Sequence, residues 1–330
     1  MSRDRRRRGL RRRDRNALIA ASLTALSLTA SGCVVVHGER EVLPAATRAE
    51  AARALSAFTA AYNGADKAYD RSLDEDRVAG ALADIDGARL RAGHLNSPAG
   101  NPHHTPLELT DAKYTIPKKA GWPRWFVADA RGNKGGDVRW LLVFERDGLG
   151  EPWQVAFLTL VAPGDVPEFR TDADGWAEAV PAGSAGLAVP PADLSARYAA
   201  YLEDGGKTFA DGPQTSGWRA TRRKQAEKPG LVRQYVDEPL TRGDYAPLAL
   251  RTADGGALVF FASHHYEKQT AAAGTSVPVP NRDVQALTKG RIKQSLTLES
   301  VSNEVALDPA GSGAVSVLGR VQGLTRAQGG

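Results

Sequence analysis

The stretch of sequence that decides the fold covers residues 125–161 and reads WFVADARGNKGGDVRWLLVFERDGLGEPWQVAFLTLV. It contains three apolar runs, at 125–130, 138–145 and 153–161, and two loops rich in glycine separate them. Short apolar runs joined by such loops are typical of antiparallel strands connected by hairpins. Together with the preceding run at 107–116, the stretch predicts an antiparallel sheet.

The middle run, VRWLLVFE, indicates how this sheet is buried. Successive side chains of a strand point to opposite faces. One face carries Trp140, Leu142 and Phe144, whereas the other mixes charged side chains with aliphatic ones. We therefore expect a sheet with one well-buried face and a second face that is only partly covered.

A helical pattern precedes these strands. Thr47 and Glu50 have the spacing of a capping box, which starts a helix. The apolar residues that then recur at helical intervals are Ala51, Leu55, Phe58 and Tyr62. A second helical stretch covers 73–90. Helices followed by antiparallel strands define an α+β module, which we place at 47–165.

The second half of the chain repeats this order. Leu194, Tyr198 and Tyr201 mark one apolar face of a helix. The strands predicted after it are a hairpin at 248–266 and two later strands near 292–298 and 315–321. Between the halves, residues 166–190 are rich in Pro, Gly and Ala, which is typical of a connector. We therefore predict two tandem modules, the second at 191–330.

The N-terminus has the three parts of a secretory signal. Nine arginines and two aspartates come first, and an apolar segment follows at 17–30. This segment has about 14 residues, fewer than the ~20 that a membrane-spanning helix needs. The small residues Ala30, Ser31 and Gly32 then precede Cys33, as a peptidase site requires.

The end of this leader resembles a bacterial lipobox, although Ala30 stands where leucine is commoner. The resemblance predicts a signal peptide at 1–32, cleavage between Gly32 and Cys33, and a diacylglyceryl group on Cys33. Residues 33–46 would then form a lipidated tether on the outer face of the cytoplasmic membrane, because two acyl chains anchor a protein stably. Adjacent arginines leave the twin-arginine route open beside the general secretory route.

Removal of the leader changes the charge of the chain. The full sequence has 43 basic and 38 acidic residues, whereas the part after residue 32 keeps 34 basic and 36 acidic ones, a net charge of −2. The mature chain therefore offers no overall electrostatic attraction for nucleic acid or anionic lipid. Cys33 is the single cysteine, so its acylation leaves no thiol for a disulfide, a metal or nucleophilic catalysis.

Two structural motifs, WLLVF at 140–144 and ARYAAYL at 196–202, carry a family resemblance. With the lipobox and the order of helices before strands, the chain resembles an uncharacterised family of actinobacterial, Streptomyces-like lipoproteins. Their tandem α+β domains are similar to the nuclear transport factor 2-like and cystatin-like folds. The resemblance implies a curved antiparallel sheet that faces a helix, often with a pocket between them. It implies no activity, since this fold carries enzymes, carriers and inert scaffolds.

No metal or cofactor site is predicted. The pairs His103-His104 and His264-His265 attract attention as metal ligands. Neighbouring residues of a strand point to opposite faces, so neither pair holds one ion from a regular strand. Prolines flank His103-His104, which indicates an exposed loop.

Several aromatic and acidic residues are candidates for a site in a module pocket. The groups that could supply acid–base chemistry of an isomerase are Tyr62, Tyr69, Asp111 and Tyr114. The residues that could line a ligand pocket are Tyr62, Tyr114, Trp125, Trp140 and Trp153. In both sets, core packing is the competing interpretation.

A basic cluster is a candidate for contact with lipid phosphates or wall teichoic polymers. It consists of Arg219, Arg222, Arg223 and Lys224. The nearby Glu227 and the net acidity of the mature chain favour a solvated helix face instead.

These observations favour a noncatalytic binding or interaction module of the cell envelope, with an envelope protein or a cell-wall polymer as partner. The alternative is a carrier or sensor of a lipid or another small apolar ligand. A hydrolase or an isomerase is the third interpretation. A cavity lined by aromatic residues would favour the carrier. A buried carboxylate in that cavity would favour the enzyme. A filled core with an exposed apolar patch would favour the interaction module.

Overall fold

The stretch at 125–161 forms three neighbouring antiparallel strands in the computed structural model, which describes residues 41–330. The strands of the first half are β1 (Leu43–Pro44), β2 (Leu109–Thr115), β3 (Lys118–Lys119), β4 (Arg124–Gly132), β5 (Arg139–Arg146) and β6 (Gln154–Val161). Strands β2, β4, β5 and β6 pair in that order and form the first sheet, so the predicted antiparallel sheet is confirmed. The predicted signal peptide, the cleavage at Gly32 and the lipidation of Cys33 lie outside the described residues.

The helix α1 (Arg48–Ala68) begins at the predicted capping box. The Thr47 hydroxyl accepts a hydrogen bond from the Glu50 backbone N–H at 3.1 Å, and the Glu50 carboxylate accepts one from the Thr47 N–H at 3.4 Å. The helix packs on the first sheet, where the Phe58 ring meets the Phe144 ring edge-on at 6.1 Å. The predicted start of this helix and its apolar face are confirmed.

Removal of this cap is expected to destabilise the protein modestly. Thr47→Ala deprives the Glu50 backbone N–H of its acceptor, so the free energy of unfolding should fall by about 1 kcal/mol. Thr47→Ser keeps the hydroxyl and should stay close to the native value. Urea denaturation of the three proteins measures the difference, and an equal loss in both variants would contradict a role for the hydroxyl.

The second helix differs from the prediction. The sequence indicated a helix at 73–90, but α2 occupies Gly80–Asn96, and only a short 3₁₀ turn at Arg71–Leu73 precedes it. Gly80 opens α2 with a positive φ of 50°, and a Cβ atom there would lie 2.3 Å from the backbone oxygen of Asp244. This close approach of the second half of the chain explains why the helix starts at a glycine.

The second half contains the remaining helices and strands, which are α3 (Pro191–Asp204), α4 (Ser216–Ala226), β7 (Glu227–Lys228), β8 (Leu231–Leu240), β9 (Leu248–Arg251), β10 (Ala257–Ala271), α5 (Arg282–Leu287), β11 (Thr288–Lys289), β12 (Ser295–Asp308) and β13 (Ser316–Gly329). The second sheet has the order β11-β13-β12-β10-β8-β7, and β9 also pairs with β10. All its pairs are antiparallel except that of β11 with β13. The predicted helix and hairpin are confirmed, and the later strands are longer than predicted.

The two sheets pack face to face, and helices cover their outer faces. Phe157 of the first sheet and Phe260 of the second lie in one buried core, with ring centres 6.5 Å apart. Helix α1 covers the outer face of the first sheet. Helix α3 covers the second sheet, where the Tyr198 ring meets Phe261 at 5.6 Å. The layers therefore run helix, sheet, sheet, helix.

The prediction of a partly covered second face on the first sheet is wrong. Leu141 and Val143 are buried because the second sheet covers them. Arg139 is buried as well, and its Nε donates to Asp129 at 2.5 Å. Periodicity within one strand does not reveal cover that comes from residues 227–329.

The predicted connector at 166–190 is bonded to both halves of the chain. Ala177 forms an isolated β-bridge with Pro117, and Ala179 forms one with Leu250. The connector thus lies against the domain rather than apart from it.

Residues 42–330 form one compact unit. Its fold is mixed α+β with antiparallel sheets, as predicted, whereas the division into tandem modules stays a prediction. No helix within 41–330 is both long enough and apolar enough to cross a membrane.

Candidate ligand-binding crevice

A crevice of about 350 Å³ opens where α1, α2, the first sheet and β13 meet. Most of its wall is apolar and is formed by Tyr62, Leu82, Trp140, Leu158, Val321 and Leu324. Small-molecule sites typically measure about 300–1,000 Å³ and combine an apolar wall with a few polar groups. The crevice has the size and the lining of such a site.

Two of the five predicted pocket residues lie in this crevice. Tyr62 comes from α1 and Trp140 from β5. Tyr114 and Trp153 belong to the buried cluster beneath α1. Trp125 faces the second sheet, on the opposite side of the first sheet. The structure thus brings Tyr62 and Trp140 together and places the other three elsewhere.

Arg89 of α2 lies at the polar end of the crevice. Its Nε and Nη2 atoms donate to Asp86 Oδ1 at 3.1 and 2.8 Å, and its Nη1 atom donates to Asp66. Its guanidinium carbon lies 5.5 Å from the centre of the Tyr62 ring. Burial raises the pKa of Tyr62 to about 12, so the hydroxyl stays protonated at neutral pH.

Two buried carboxyl groups, Asp74 and Asp86, lie next to each other beside Arg89. The Oδ2 atom of each has no donor within the described part of the chain. Burial, and then the charge of Asp86, raises the pKa of Asp74 to about 8. A proton on Asp74 that hydrogen-bonds to Asp86 satisfies both oxygens and explains why two carboxyl groups tolerate this contact.

The predicted exposure of the first histidine pair holds only for His103. His104 is mostly buried, with its Nδ1 atom 2.7 Å from Asp66 Oδ2. Asn101 donates to the same oxygen at 3.2 Å. His104 was expected in an exposed loop, but it belongs to the polar group that holds Arg89, because Asp66 needs partners on both oxygens.

The second histidine pair points to opposite faces of the second sheet, as predicted. His264 lines a groove of about 650 Å³, with its Nε2 atom 4.0 Å from Glu299. His265 is buried on the other face. Within residues 41–330 no group of three or more His, Cys, Asp or Glu side chains is placed to hold a metal ion.

His265 is the centre of a buried polar network that the sequence analysis missed. Its Nδ1 atom lies 2.6 Å from Asp237 Oδ1, and its Nε2 atom lies 2.5 Å from Ser302 Oγ. The Ser302 hydroxyl donates to Glu304. Arg222 donates to both oxygens of Asp237, at 2.6 and 2.9 Å. These five residues are named the Arg222 network below.

The order Asp237, His265, Ser302 resembles a hydrolytic triad, but a nucleophile must be able to reach its substrate. Ser302 is 0% exposed, and its hydroxyl already bonds to Glu304. Burial by itself raises the pKa of Asp237, but hydrogen bonds from His265 and Arg222 lower it below its usual value. We therefore assign the Arg222 network a structural role, in which it fastens α4 to the second sheet.

The predicted solvated face of α4 is correct for Arg223 and Lys224, which are exposed. It is wrong for Arg222, which is 8% exposed and faces Asp237 of β8. Arg219 is partly buried and donates to backbone carbonyl groups of α3. The four basic residues differ in exposure because only one face of α4 packs on the protein.

The residues predicted for acid–base chemistry do not form one cluster. Tyr69 ends α1 in the left-handed conformation, with a φ of 52°. Asp111 lies in a separate groove, where it accepts a hydrogen bond from Arg139 at 2.7 Å. Among the four candidates, only Tyr62 lines the crevice. The polar groups that do lie there, Asp86 and Arg89, were not predicted.

Comparison with known proteins identifies several similar proteins. A Streptomyces coelicolor protein named an uncharacterized lipoprotein is 73% identical over 100% of both chains, and one from Streptomyces avermitilis is 63% identical over 100% of both. A second S. coelicolor protein named in this way is 28% identical over 96% of this chain and 95% of its own. No solved structure matches the chain. Residues 42–329 match the family model described as "Domain of unknown function (DUF8094)", and the chain belongs to this family.

Proposed function

We propose that the protein is a lipid-anchored envelope protein that binds a small apolar or amphipathic ligand in the crevice, without chemistry on that ligand. The observation that carries this proposal is an apolar wall with Tyr62 and Trp140 beside polar groups that satisfy one another. An aromatic-lined cavity is the feature that favours a carrier or sensor over an interaction surface. The buried carboxylate in the crevice, Asp86, is paired with Arg89, so it does not supply a free acid or base for an enzyme. This proposal takes up the carrier or sensor, which the sequence analysis gave as the alternative to an interaction module.

The lipid anchor is supported by the leader sequence and by the relatives. The two closely similar Streptomyces proteins, matched over 100% of both chains, are named lipoproteins. We propose the same processing here, with a signal peptide at 1–32 and a diacylglyceryl group on Cys33. The domain at 42–330 would then be held at the outer face of the cytoplasmic membrane by its two acyl chains.

Loss of the thiol is expected to abolish anchoring. Cys33→Ala removes the acceptor of the diacylglyceryl group, so the protein should remain unprocessed or be shed from the cells. Ser31→Ala, which keeps the thiol, is the matched control and should behave as the native protein. Detergent phase partitioning followed by immunoblotting measures both, and a cleaved Cys33→Ala protein in the detergent phase would refute the anchor.

The two halves are further proposed to be α+β modules, at 47–165 and 191–330, joined through their sheets with 166–190 as the connector. Each half has a buried apolar cluster beneath its own helix, and a third cluster lies between the sheets. This arrangement supports the predicted nuclear transport factor 2-like and cystatin-like character of each half. The crevice then lies where the modules meet.

Native mass spectrometry of residues 34–330, after incubation with lipids extracted from the envelope, tests the binding function. We expect an added mass on the native protein and its loss in Val321→Trp, because the larger ring fills the crevice wall. Val236→Trp introduces the same ring at a position that is 55% exposed and does not line the crevice, so it should keep the adduct. A bare mass for the native protein would contradict the proposal and favour an interaction module.

A further inference from the structure

The positive charge at the polar end of the crevice is already paired with carboxylates. Arg89 is the one Lys or Arg side chain that lines the crevice among residues 41–330. All three of its side-chain nitrogens already donate to carboxylates, Nε and Nη2 to Asp86 and Nη1 to Asp66. These bonds use three of the five N–H groups of Arg89. Its charge is balanced by two carboxylates, so it attracts a ligand carboxylate or phosphate less strongly than an unpaired guanidinium would.

The mouth of the crevice is acidic. Asp283, in the first turn of α5, is exposed and lines the crevice. Asn96 of α2 donates to its Oδ1 atom at 2.8 Å, which holds the carboxylate in place. The other polar side chain at this rim is Gln322, an uncharged amide. A ligand that enters past α5 therefore meets a fixed negative charge.

The ionic groups at the crevice have an excess of negative charge. Of the charged side chains among residues 41–330 that line the crevice, Asp86 and Asp283 are carboxylates and Arg89 is the one cation. A negative potential in a partly closed site attracts cations and repels anions. Because the apolar wall suits an alkyl body, the charge at its ends decides which head group is accepted.

We infer that the crevice binds a cationic or neutral amphipathic molecule and rejects an anionic one such as a fatty acid. This inference rests on the proposed function and specifies its ligand class. The ligand has an apolar body against Trp140 and Leu158 and a head group that is an ammonium or a hydrogen-bond donor. Its head group lies next to Asp283 at the mouth.

Three probes of equal chain length test this selection: decyltrimethylammonium, decanol and decanoate, each titrated below its critical micelle concentration. Isothermal titration calorimetry with residues 34–330 at neutral pH gives the three dissociation constants. We expect the ammonium probe to bind at least about tenfold more tightly than decanoate, which corresponds to about 1.4 kcal/mol. Decanol should lie between them.

Asp283→Asn should reduce the preference for the ammonium probe, because it removes the charge and keeps an oxygen for Asn96. Asp193→Asn is the matched control, since Asp193 is an exposed aspartate in the first turn of α3 that does not line the crevice. Decanoate that binds as tightly as the ammonium probe, with both blocked by Val321→Trp, would overturn the selection and leave the binding function standing. No binding of any probe would overturn the binding function itself.

Discussion

Replacing Arg222 by alanine is expected to lower the free energy of unfolding by about 3–5 kcal/mol, because it leaves the Asp237 carboxylate buried without its cation. The side chains of both residues are less than 10% exposed, at 9% for Arg222 and 4% for Asp237. The pair also holds His265 and, through it, Ser302. Urea or guanidinium denaturation monitored by circular dichroism measures the loss.

Arg223→Ala is the matched control for this prediction. Arg223 is the next residue of α4 but is exposed, so its removal should change stability by less than about 0.5 kcal/mol. The double variant Arg222→Ala, Asp237→Ala should recover part of the loss, since the Asp237 carboxylate is then no longer left without its cation. Equal effects of the two single arginine variants would contradict a structural role for the Arg222 network.

A neutral side chain at position 74 is expected to stabilise the protein at pH 8 and to have little effect at pH 4. Asp74 has its pKa raised to about 8 in the folded protein, from 3.8 in the unfolded chain. Between these values the folded protein holds a proton that the unfolded chain releases, so the free energy of unfolding falls as pH rises through this window. Below the window both states are protonated and the difference disappears.

Asp74→Asn replaces the protonated carboxyl by an amide that still donates to Asp86. The free energy of unfolding of the variant should therefore exceed that of the native protein by about 2–4 kcal/mol near pH 8. Asp76→Asn is the control, because the Asp76 side chain is 59% exposed. Denaturation curves from pH 4 to pH 8 compare the three proteins. A variant whose stability follows the native pH profile throughout would show that Asp74 does not hold the proton.

Local patterns predicted the elements whose causes lie within a few residues. The capping box at Thr47 and the glycine-rich loops of the stretch at 125–161 depend on neighbouring residues, and the structure has both. The start of α2 depends on a carbonyl of Asp244, more than 160 positions away, so no local pattern could locate it. Leu141 and Val143 are likewise covered by the second sheet, whose residues lie far from them in the chain.

The candidate site was predicted in part for the same reason. Tyr62 and Trp140 are large aromatic residues on predicted elements, and such residues are natural candidates for a pocket wall. Asp86 and Arg89 gave a signal that could have been found, since an acid and a base three positions apart interrupt an apolar helix. Their contact with Asp66 depends on how α2 packs beside α1, and no pattern in the sequence predicts this packing.

The sequence pattern indicates the Arg222 network only weakly. Its members come from α4, β8, β10 and β12, so no single spacing joins them. Within the strands, Ser302 and Glu304 lie two positions apart, as Ser263 and His265 do, and this places each pair on one face. Polar residues repeated on one face of otherwise apolar strands indicate a buried network.

Helix α2 packs on β13, a strand that lies far from it in the chain. A Cβ atom on Gly323 of β13 would lie 2.5 Å from Ile85 of α2, although the two residues are 238 positions apart in the chain. At synthesis rates of about 5–20 residues per second, α2 waits on the order of 10–50 s for this partner. The packing of α2 therefore cannot be completed early in synthesis. Until β13 is made, the apolar surface of α2 that it covers stays exposed.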